Sequence, residues 1–262
     1  MSKPCNDRPL FFAVRVHMGY RISNQFYKLA FPVYRPIYRA FKAYVDRAER
    51  HLLARHLTAG SVVVDAGANI GIYSEFLSNC IRPGGVVHSF EPAPDNFAHL
   101  RAGLAKLPNV RLNQLALSDE TKESLLYISE DLNVDHRAYP TEGELRETIS
   151  INTIRLDDYF KAGERIDLIK MDIQGFELHA LRGAKRVLTD NPNIKLLLEF
   201  WPYGLRAAGN SPEALLAFLK HYEFTIFVPH KDELKEYVRS AAYGYDDTSF
   251  FNLFAQRRIT GA

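Results

Sequence analysis

The chain has 262 residues, of which 47% are hydrophobic and 24% are charged, and its formal net charge is +2 at pH 7. This composition provides enough apolar side chains for a packed core and excludes fibrous, low-complexity and globally disordered proteins. No uncharged apolar run approaches the roughly 18 to 20 residues that a membrane span requires. The two cysteines, Cys5 and Cys80, form no disulfide framework, so the sequence predicts a cytoplasmic protein.

Residues 1–57 form a predicted basic and aromatic helical segment ahead of a main domain over residues 58–262. Residues 1–60 contain eleven Lys or Arg and three acids, a net +8. The aromatic residues at mostly helical spacings are Phe26, Tyr27, Phe31, Tyr34, Tyr38, Phe41 and Tyr44. Pro32 and Pro36 interrupt them, which predicts one or two amphipathic helices. We expect the aromatic stripe to pack on the domain with the arginines in solvent. The alternatives are weak, peripheral membrane contact, at the inner face of the cytoplasmic membrane, and docking of an anionic substrate.

From Thr58 onward, short β-branched runs alternate with amphipathic stretches. The predicted strands are 61–65, 85–91, 110–118, 166–172, 194–200, 224–229 and 250–255. The predicted helices are 72–79, 95–107, 175–188 and 211–221. This alternation predicts an α/β fold with a mostly parallel seven-stranded sheet and helices on both faces. Two further strands, 124–129 and 148–154, flank a polar loop, 130–147, which we expect at the rim of the site.

The first strand and the turn after it point to a nucleotide-like cofactor. Gly67 and Gly71 lie in this turn, where glycines let a ligand approach the backbone closely. The turn is not the dinucleotide fingerprint, because Asn69 stands where the second glycine would be. Asp65 at the strand end would repel a pyrophosphate. This carboxylate suits a cofactor with a cationic amino group, such as S-adenosylmethionine (SAM).

The ends of the next two strands supply further candidate cofactor ligands. Glu91 follows Gly71 by 20 residues, a position from which a carboxylate accepts hydrogen bonds from both ribose hydroxyls. NAD would use the same acid, so Glu91 alone does not separate the two cofactors. For both Asp65 and Glu91, the alternative is a helix cap or a surface acid. Ser118 and Asp119 end the third strand, and we expect them to frame the adenine.

These and later motifs resemble the FkbM family of SAM-dependent methyltransferases over about residues 61–199. The motifs are Val-Asp-Ala-Gly-Ala-Asn-Ile-Gly (64–71), Phe-Glu-Pro (90–92), Leu-Asp-Asp (156–158), Ile-Lys-Met-Asp-Ile-Gln-Gly-Phe-Glu (169–177) and Leu-Arg-Gly-Ala (181–184). The resemblance implies a class I Rossmann-like methyltransferase fold, SAM as methyl donor, and an oxygen acceptor on a sugar, polyketide or similar metabolite. The chain departs from the family at Gln174, where Asp-x-Glu-Gly is common, and Gln cannot act as a base or charged ligand.

Methyl transfer to an alcohol requires a general base within hydrogen-bond reach of the acceptor hydroxyl. Asp172 and Glu199, at the ends of the fourth and fifth strands, are the predicted candidates. Lys170 is a third predicted catalytic residue and is expected to pair with one of these acids. The alternative for Lys170 and Asp172 is a structural ion pair that supports the sheet. No spacing matches a closed zinc site, and we assign no metal.

Three function classes follow from these residues. The leading one is a SAM-dependent O-methyltransferase that acts on a hydroxyl of a sugar, glycan or small metabolite. An NAD-dependent oxidoreductase is disfavoured by Asn69 and Asp65. A non-catalytic SAM-fold or membrane-docking protein is supported only by Gln174 and the basic segment. A nucleic-acid partner is not expected, because residues 61–262 carry a net charge of −6.

Overall fold

The computed structural model describes residues 27, 30–129, 135–140, 145–230, 233–237 and 249–258. The helices are α1 (Phe31–Val45), α2 (Arg47–His56), α3 (Ile72–Cys80), α4 (Pro94–Leu104), α5 (Leu156–Tyr159), α6 (Glu177–Arg182), α7 (Lys185–Asp190), α8 (Pro202–Ala207) and α9 (Pro212–His221). The strands are β1 (Val62–Ala66), β2 (Val86–Phe90), β3 (Val110–Asn113), β4 (Ala116–Leu117), β5 (Glu123–Ile128), β6 (Glu147–Ile154), β7 (Leu168–Met171), β8 (Lys195–Phe200), β9 (Phe224–His230), β10 (Glu233–Glu236) and β11 (Phe251–Arg257).

Within the described residues, eight strands form one sheet in the order β10-β9-β11-β8-β7-β1-β2-β3. The neighbours among β1, β2, β3, β7 and β8 pair in parallel, whereas β11 runs antiparallel to both β8 and β9. The predicted α/β class I methyltransferase architecture is confirmed. The sheet has one strand more than the seven predicted, because β10 pairs with β9 beyond the expected edge.

The two faces of the sheet bury separate hydrophobic cores. Val63 of β1 packs with residues of α2, α3 and α4, whereas its neighbour Val64 packs with residues of α6, α7 and α9. Successive side chains of a strand point to opposite faces, so a strand covered on both faces is hydrophobic at every position. The one polar residue of β1, Asp65, therefore lies near the carboxyl end of the strand.

The predicted strand 110–118 is two strands in the structure. Its first part, β3, stays beside β2, whereas β4 pairs with β6 in a small sheet formed by β4, β6 and β5. The predicted strands 124–129 and 148–154 are confirmed as β5 and β6, which pair antiparallel. Residues 130–134 and 141–144 of the expected rim loop lie outside the described residues.

The predicted helix 175–188 is divided into α6 and α7 at Gly183. A Cβ at Gly183 would lie 2.0 Å from the backbone oxygen of Ser118, so the chain passes the end of β4 too closely for any side chain. The second helix starts where Asp157 accepts the N–H groups of Arg186 at 3.1 Å and Val187 at 3.0 Å. The Leu-Asp-Asp motif therefore has a structural role as a helix cap.

The N-terminal helix α1 packs across the turn that follows β1. Tyr27 and Tyr34 are buried against Ile70 and Ile72, and the ring of Phe31 stacks on a neighbouring histidine ring of α4. The expected packing of the aromatic stripe on the domain is thus present for Tyr27, Phe31 and Tyr34, whereas Phe41 and Tyr44 of the same stripe are exposed. Residues 1–26, 28 and 29 of the predicted N-terminal unit lie outside the described residues.

Two expectations about this segment are wrong. Pro36 lies inside α1 without ending it, because the missing N–H removes only the bond to the carbonyl of Pro32 near the helix start. Arg35 is not solvated: it is mostly buried, and Arg35 and Arg39 each donate to Glu75 at 2.9 Å. Among the helices described, none is long and apolar enough to span a bilayer.

Candidate active site

The chain between β1 and α3 forms a tight turn that is held by β2. Gly67 and Ala68 both donate their N–H groups to the carbonyl oxygen of Phe90 at 3.0 Å. Gly67 has a φ of +75°, and a Cβ there would lie 1.9 Å from the backbone oxygen of Asp172. A glycine is therefore required at this position by conformation and by contact. Gly71 closes the turn as the N-cap of α3.

Glu91 binds the turn from the end of β2. Its Oε2 accepts the N–H of Asn69 at 2.8 Å, and its Oε1 accepts the N–H of Ala93 at 3.0 Å. Burial raises the pKa of Glu91 to about 7, although these bonds and one from Asn96 oppose the rise. Tyr27 donates to Asn96 at 2.7 Å, so the N-terminal segment reaches the surroundings of Glu91.

Asp65 lies behind the turn and is fully buried. Its Oδ2 accepts the hydroxyl of Ser74 at 2.6 Å. Its Oδ1 lies 3.6 Å from Nζ of Lys170 and finds no hydrogen-bond donor among the described residues. The structure thus brings Asp65 to the predicted catalytic lysine, and its role as a cofactor ligand stays a prediction.

Lys170 is a buried cation among carboxylates at the carboxyl ends of the central strands. Its Nζ lies 3.9 Å from Oδ2 of Asp172, so the expected pairing is present, with Asp65 closer. Burial by itself would lower the pKa of Lys170, but surrounding negative charges outweigh burial and raise it. These charges come, in decreasing order, from Asp65, Asp172, Glu49 and Glu199. Lys170 is therefore a fixed positive charge beneath the site.

Gln174 bridges the two predicted catalytic acids. Its Nε2 donates to Oδ1 of Asp172 at 3.3 Å and to Oε2 of Glu199 at 3.4 Å. The side chain of Asp172 is 43% exposed, whereas Glu199 is buried. Burial, then the charges of Asp172 and Glu177 and a hydrogen bond to Asp172, raise the pKa of Glu199 well above its usual value. Glu199 therefore keeps its proton to higher pH than an exposed glutamate would.

Two further acids, which the sequence analysis did not assign, complete the site. Glu177 is fully buried at the start of α6, its Oε1 accepts the N–H of Ile173 at 3.1 Å, and burial raises its pKa to about 7. Glu49 of α2 accepts a hydrogen bond from Asn252, and burial raises its pKa. The available signals were that Glu177 ends the motif containing Asp172, and that Glu49 is one of three acids in the first 60 residues.

A cavity of about 120 Å³ opens at the carboxyl ends of β7 and β8. Its polar and aromatic lining includes Asp46, Glu49, Tyr73, Lys170, Asp172 and Glu199. A larger hollow of about 480 Å³ lies at the opposite strand ends, beside His56, Asp167 and Lys195. Ligands of open parallel sheets bind outside the carboxyl ends of the strands. The smaller cavity is therefore the candidate acceptor site.

Ser118 and Asp119 follow β4 of the small sheet. Ser118 donates to Oδ1 of Asp119 at 3.1 Å, and Oδ2 of Asp119 lies 3.0 Å from Nδ1 of His179. Burial alone would raise the pKa of Asp119, but the hydrogen bond and charge of His179 outweigh burial and lower it. Contact of Ser118 and Asp119 with an adenine stays a prediction.

A comparison with known protein families covers the turn and the strand ends described above, but not Glu49 of α2. The family model described as the methyltransferase FkbM domain matches residues 65–226. The chain belongs to the FkbM methyltransferase family. The predicted membership is confirmed, and the matched region contains every residue predicted for the cofactor and for catalysis. The alternative of an NAD-dependent oxidoreductase is not favoured by this family.

Curated relatives of the chain are also methyltransferases. The chain is 31% identical to the 31-O-demethyl-FK506 methyltransferase FkbM of Streptomyces tacrolimicus, over 53% of this chain and 64% of that protein. It is 33% identical to the 2-O-methyltransferase NoeI of Sinorhizobium fredii, over 49% and 59%. It is 27% identical to the hexuronic acid methyltransferase AglP of Haloferax volcanii, over 52% and 55%. The chain thus spans less than two thirds of each relative.

Two methyltransferases are among the solved structures that match the chain. The methyltransferase FkbM from Methylobacillus flagellatus matches with a TM-score of 0.49 and 18% identity, over 76% of this chain and 44% of that one. A SAM-dependent methyltransferase from Aquifex aeolicus matches with a TM-score of 0.42 and 18% identity, over 79% and 88%.

Proposed function

We propose that this FkbM-family chain is a SAM-dependent O-methyltransferase that acts on a hydroxyl of a sugar, glycan or small metabolite. The observation that carries the proposal is the contact between Gly67 and Asp172, where a Cβ would lie 1.9 Å from the Asp172 backbone oxygen. This contact holds the turn that we assign to SAM directly against Asp172. We assign Asp172 to receive the proton of the acceptor hydroxyl. The names of NoeI, a 2-O-methyltransferase, and AglP, a hexuronic acid methyltransferase, support this class of acceptor.

The residues of the turn fit SAM. The carboxylate of Glu91 has lone pairs beyond the two N–H bonds it accepts, so it can accept ribose hydroxyls as well. Oδ1 of Asp65 has no hydrogen-bond donor among the described residues, and the cation nearest to it is Nζ of Lys170 at 3.6 Å. Bound SAM supplies an electrophilic methyl group on a positively charged sulfur. We assign it to Asp65, Gly67, Asn69, Gly71 and Glu91, with Ser118 and Asp119 at the adenine.

Asp172 is the residue that we assign to receive the proton of the acceptor hydroxyl. Its side chain is open to the cavity, and Lys170 holds the carboxylate from one side at 3.9 Å. The amide of Gln174 orients its other oxygen. Glu199 retains its proton and donates to Asp172, so the two acids take different roles: Asp172 accepts a proton and Glu199 positions it.

The test replaces Asp172 by Asn. Asp172→Asn is expected to keep SAM affinity and to lower kcat by about 10²- to 10⁴-fold, because general-base catalysis contributes on that order. Calorimetry with SAM and with NADH measures cofactor choice, and transfer of labelled methyl groups to a panel of sugars and hydroxylated metabolites measures turnover. Asp190→Asn, which changes an acid at the end of α7, is the matched control.

Three outcomes would contradict the assignment. Near-normal turnover in Asp172→Asn would leave Asp172 as a structural partner of Lys170. Binding of NADH without SAM would favour the oxidoreductase. Binding of neither would favour a non-catalytic role.

The cytoplasmic location and the absence of a nucleic-acid partner stay part of the proposal, supported by the cysteine content and by the net charge of −6 over residues 61–262.

A further inference from the structure

The outer face of α1 is uncharged over an arc of roughly 220°, at 100° per residue. Its large residues, each with more than half of its surface exposed, are Val33, Ile37, Phe41, Tyr44 and Val45. The remaining positions on this arc are Pro and Ala residues, apart from the buried Tyr34, which lies at one edge between Phe41 and Val45. A contiguous exposed apolar surface of this kind marks an interaction site.

The charged side chains of α1 lie on the opposite arc, and each forms a salt bridge with an acid of the protein. Arg35 and Arg39 each donate to Glu75 at 2.9 Å, and Nζ of Lys42 lies 2.7 Å from Asp46. The helix therefore uses its cations to dock on the domain and leaves its apolar residues outside. This is the reverse of the arrangement expected for a helix that faces water.

The charge around the outer face favours an anionic occupant. Residues 31–56 contain six Lys or Arg and two acids, and the exposed Arg47 lies 5.5 Å from the ring centroid of Tyr44 on the outer face. Helices that combine an apolar face with nearby cations bind in the interface of membranes that contain anionic lipids. A second copy of the chain would bring two cationic segments together, which disfavours that occupant. We propose that the outer face of α1 docks on an anionic membrane surface.

This docking would place the candidate acceptor cavity beside the lipid. Lys42 and Asp46, at the end of α1, line the cavity together with Asp172. Phe250, another large exposed apolar residue, also lines it. This step rests on the proposed function: an acceptor held at the membrane surface, such as a glycan on an anionic lipid, would enter the cavity next to the docked face.

Vesicle sedimentation with the full-length protein tests the docking. We expect binding to vesicles of phosphatidylglycerol and phosphatidylcholine, little binding to phosphatidylcholine alone, and weaker binding at high salt. The double variant Ile37→Ser, Phe41→Ser is expected to lose at least about tenfold in partitioning, because each buried apolar side chain contributes on that order. Its melting temperature and SAM affinity should be unchanged. Leu125→Ser, which removes an exposed apolar residue from β5, is the matched control and should bind vesicles normally.

Absence of vesicle binding, or equal binding by the double variant, would overturn the proposal. If analytical ultracentrifugation shows a dimer that the double variant dissociates, and no vesicles bind, the face belongs to a second copy of the chain. Vesicle binding requires no acceptor. Vesicle binding therefore tests the docking proposal alone. The proposed function is tested separately, by SAM affinity and by turnover.

Discussion

Position 67 has two requirements that only glycine, among the amino acids, can meet. Its φ is +75°, and a Cβ would lie 1.9 Å from the backbone oxygen of Asp172. Gly60, before β1, also has a positive φ, of +82°, but a Cβ there would meet no atom within 4 Å. Comparing substitutions at these two glycines therefore separates the free-energy cost of a side chain at positive φ from the cost of the steric contact with Asp172.

Gly60→Ala and Gly67→Ala form a matched pair of variants. A Cβ at left-handed φ costs roughly 1–2 kcal/mol, so Gly60→Ala is expected to lower the free energy of unfolding by about that amount. Gly67→Ala should lose more than about 3 kcal/mol, since the turn must also move away from Asp172. Denaturant unfolding measures both. Equal losses would show that the close approach at Gly67 is not a constraint.

Gln174 places a neutral amide between two acids. In Gln174→Glu, a third carboxyl replaces the donor to Asp172 and Glu199, and its ionisation adds repulsion. We expect stability to fall by about 1–3 kcal/mol at pH 8 and by less at pH 5, where a larger fraction of the new carboxyl is protonated. Gln174→Met removes the hydrogen bonds without adding charge, so its loss should be similar at both pH values. A Gln174→Glu protein as stable as the parent at pH 8 would contradict this account.

At the scale of single elements, α1 is informative because its two faces have opposite surroundings. Tyr34 on the inner face is buried, with its ring centroid 5.3 Å from that of Tyr38 and 5.6 Å from that of Tyr27. Ile37 on the outer face is 64% exposed. Composition alone does not distinguish these two positions, since both are large and apolar.

Tyr34→Ala and Ile37→Ala test this orientation by thermal and denaturant unfolding. Tyr34→Ala is expected to cost about 3–5 kcal/mol, as truncation of a buried aromatic ring does. Ile37→Ala should stay within about 0.5 kcal/mol of the parent, because the side chain makes few contacts. If Ile37→Ala were the more damaging change, α1 would be rotated relative to the domain.

At the scale of the whole molecule, the acids with raised pKa values gather at the carboxyl edge of the sheet. Burial raises the pKa of Glu91 and of Glu177 to about 7, and that of Glu199 well above its usual value. Each group is easier to ionise in the unfolded chain than in the folded one. Ionisation therefore opposes folding.

The buried acids are expected to contribute a decline in stability as the pH rises from about 5 to 8. The contribution of these acids is fully present below their unfolded pKa, near 4.5, and is lost as the pH passes through about 7. The raised pKa of Lys170 does not oppose this trend, since its contribution is lost only above the ordinary lysine range. Melting temperatures across this range measure the decline, and Glu177→Gln should make it shallower. Burial lowers the pKa of His56, His88 and His99, which acts in the opposite sense over this range. The deciding result is therefore the comparison with Glu177→Gln. Equal slopes in the parent and in Glu177→Gln would contradict the raised pKa of Glu177.

The sequence predicted most of the fold and the position of the site because both depend on local patterns. Alternating β-branched runs and amphipathic stretches predicted the α/β sheet, and the N-cap Ser211 accepts the N–H of Ala214 at 3.1 Å as its position before Pro212 implies. The polar residues at strand ends, Asp65 and Asp172 among them, lie at one edge because parallel strands end together. These features require no knowledge of distant contacts.

Tertiary structure decided which face of α1 is buried, how Glu49 of α2 comes within electrostatic reach of Lys170, and why the pKa of Glu199 is raised. The reason is that each outcome depends on burial and on charges that are remote in sequence. Glu199 and Asp172 are both acids at strand ends, yet only Glu199 is enclosed. The sequence by itself determined the fold class, the family and the set of candidate residues. Packing between distant segments decided how exposed each of them is and raised the pKa of the enclosed Glu199.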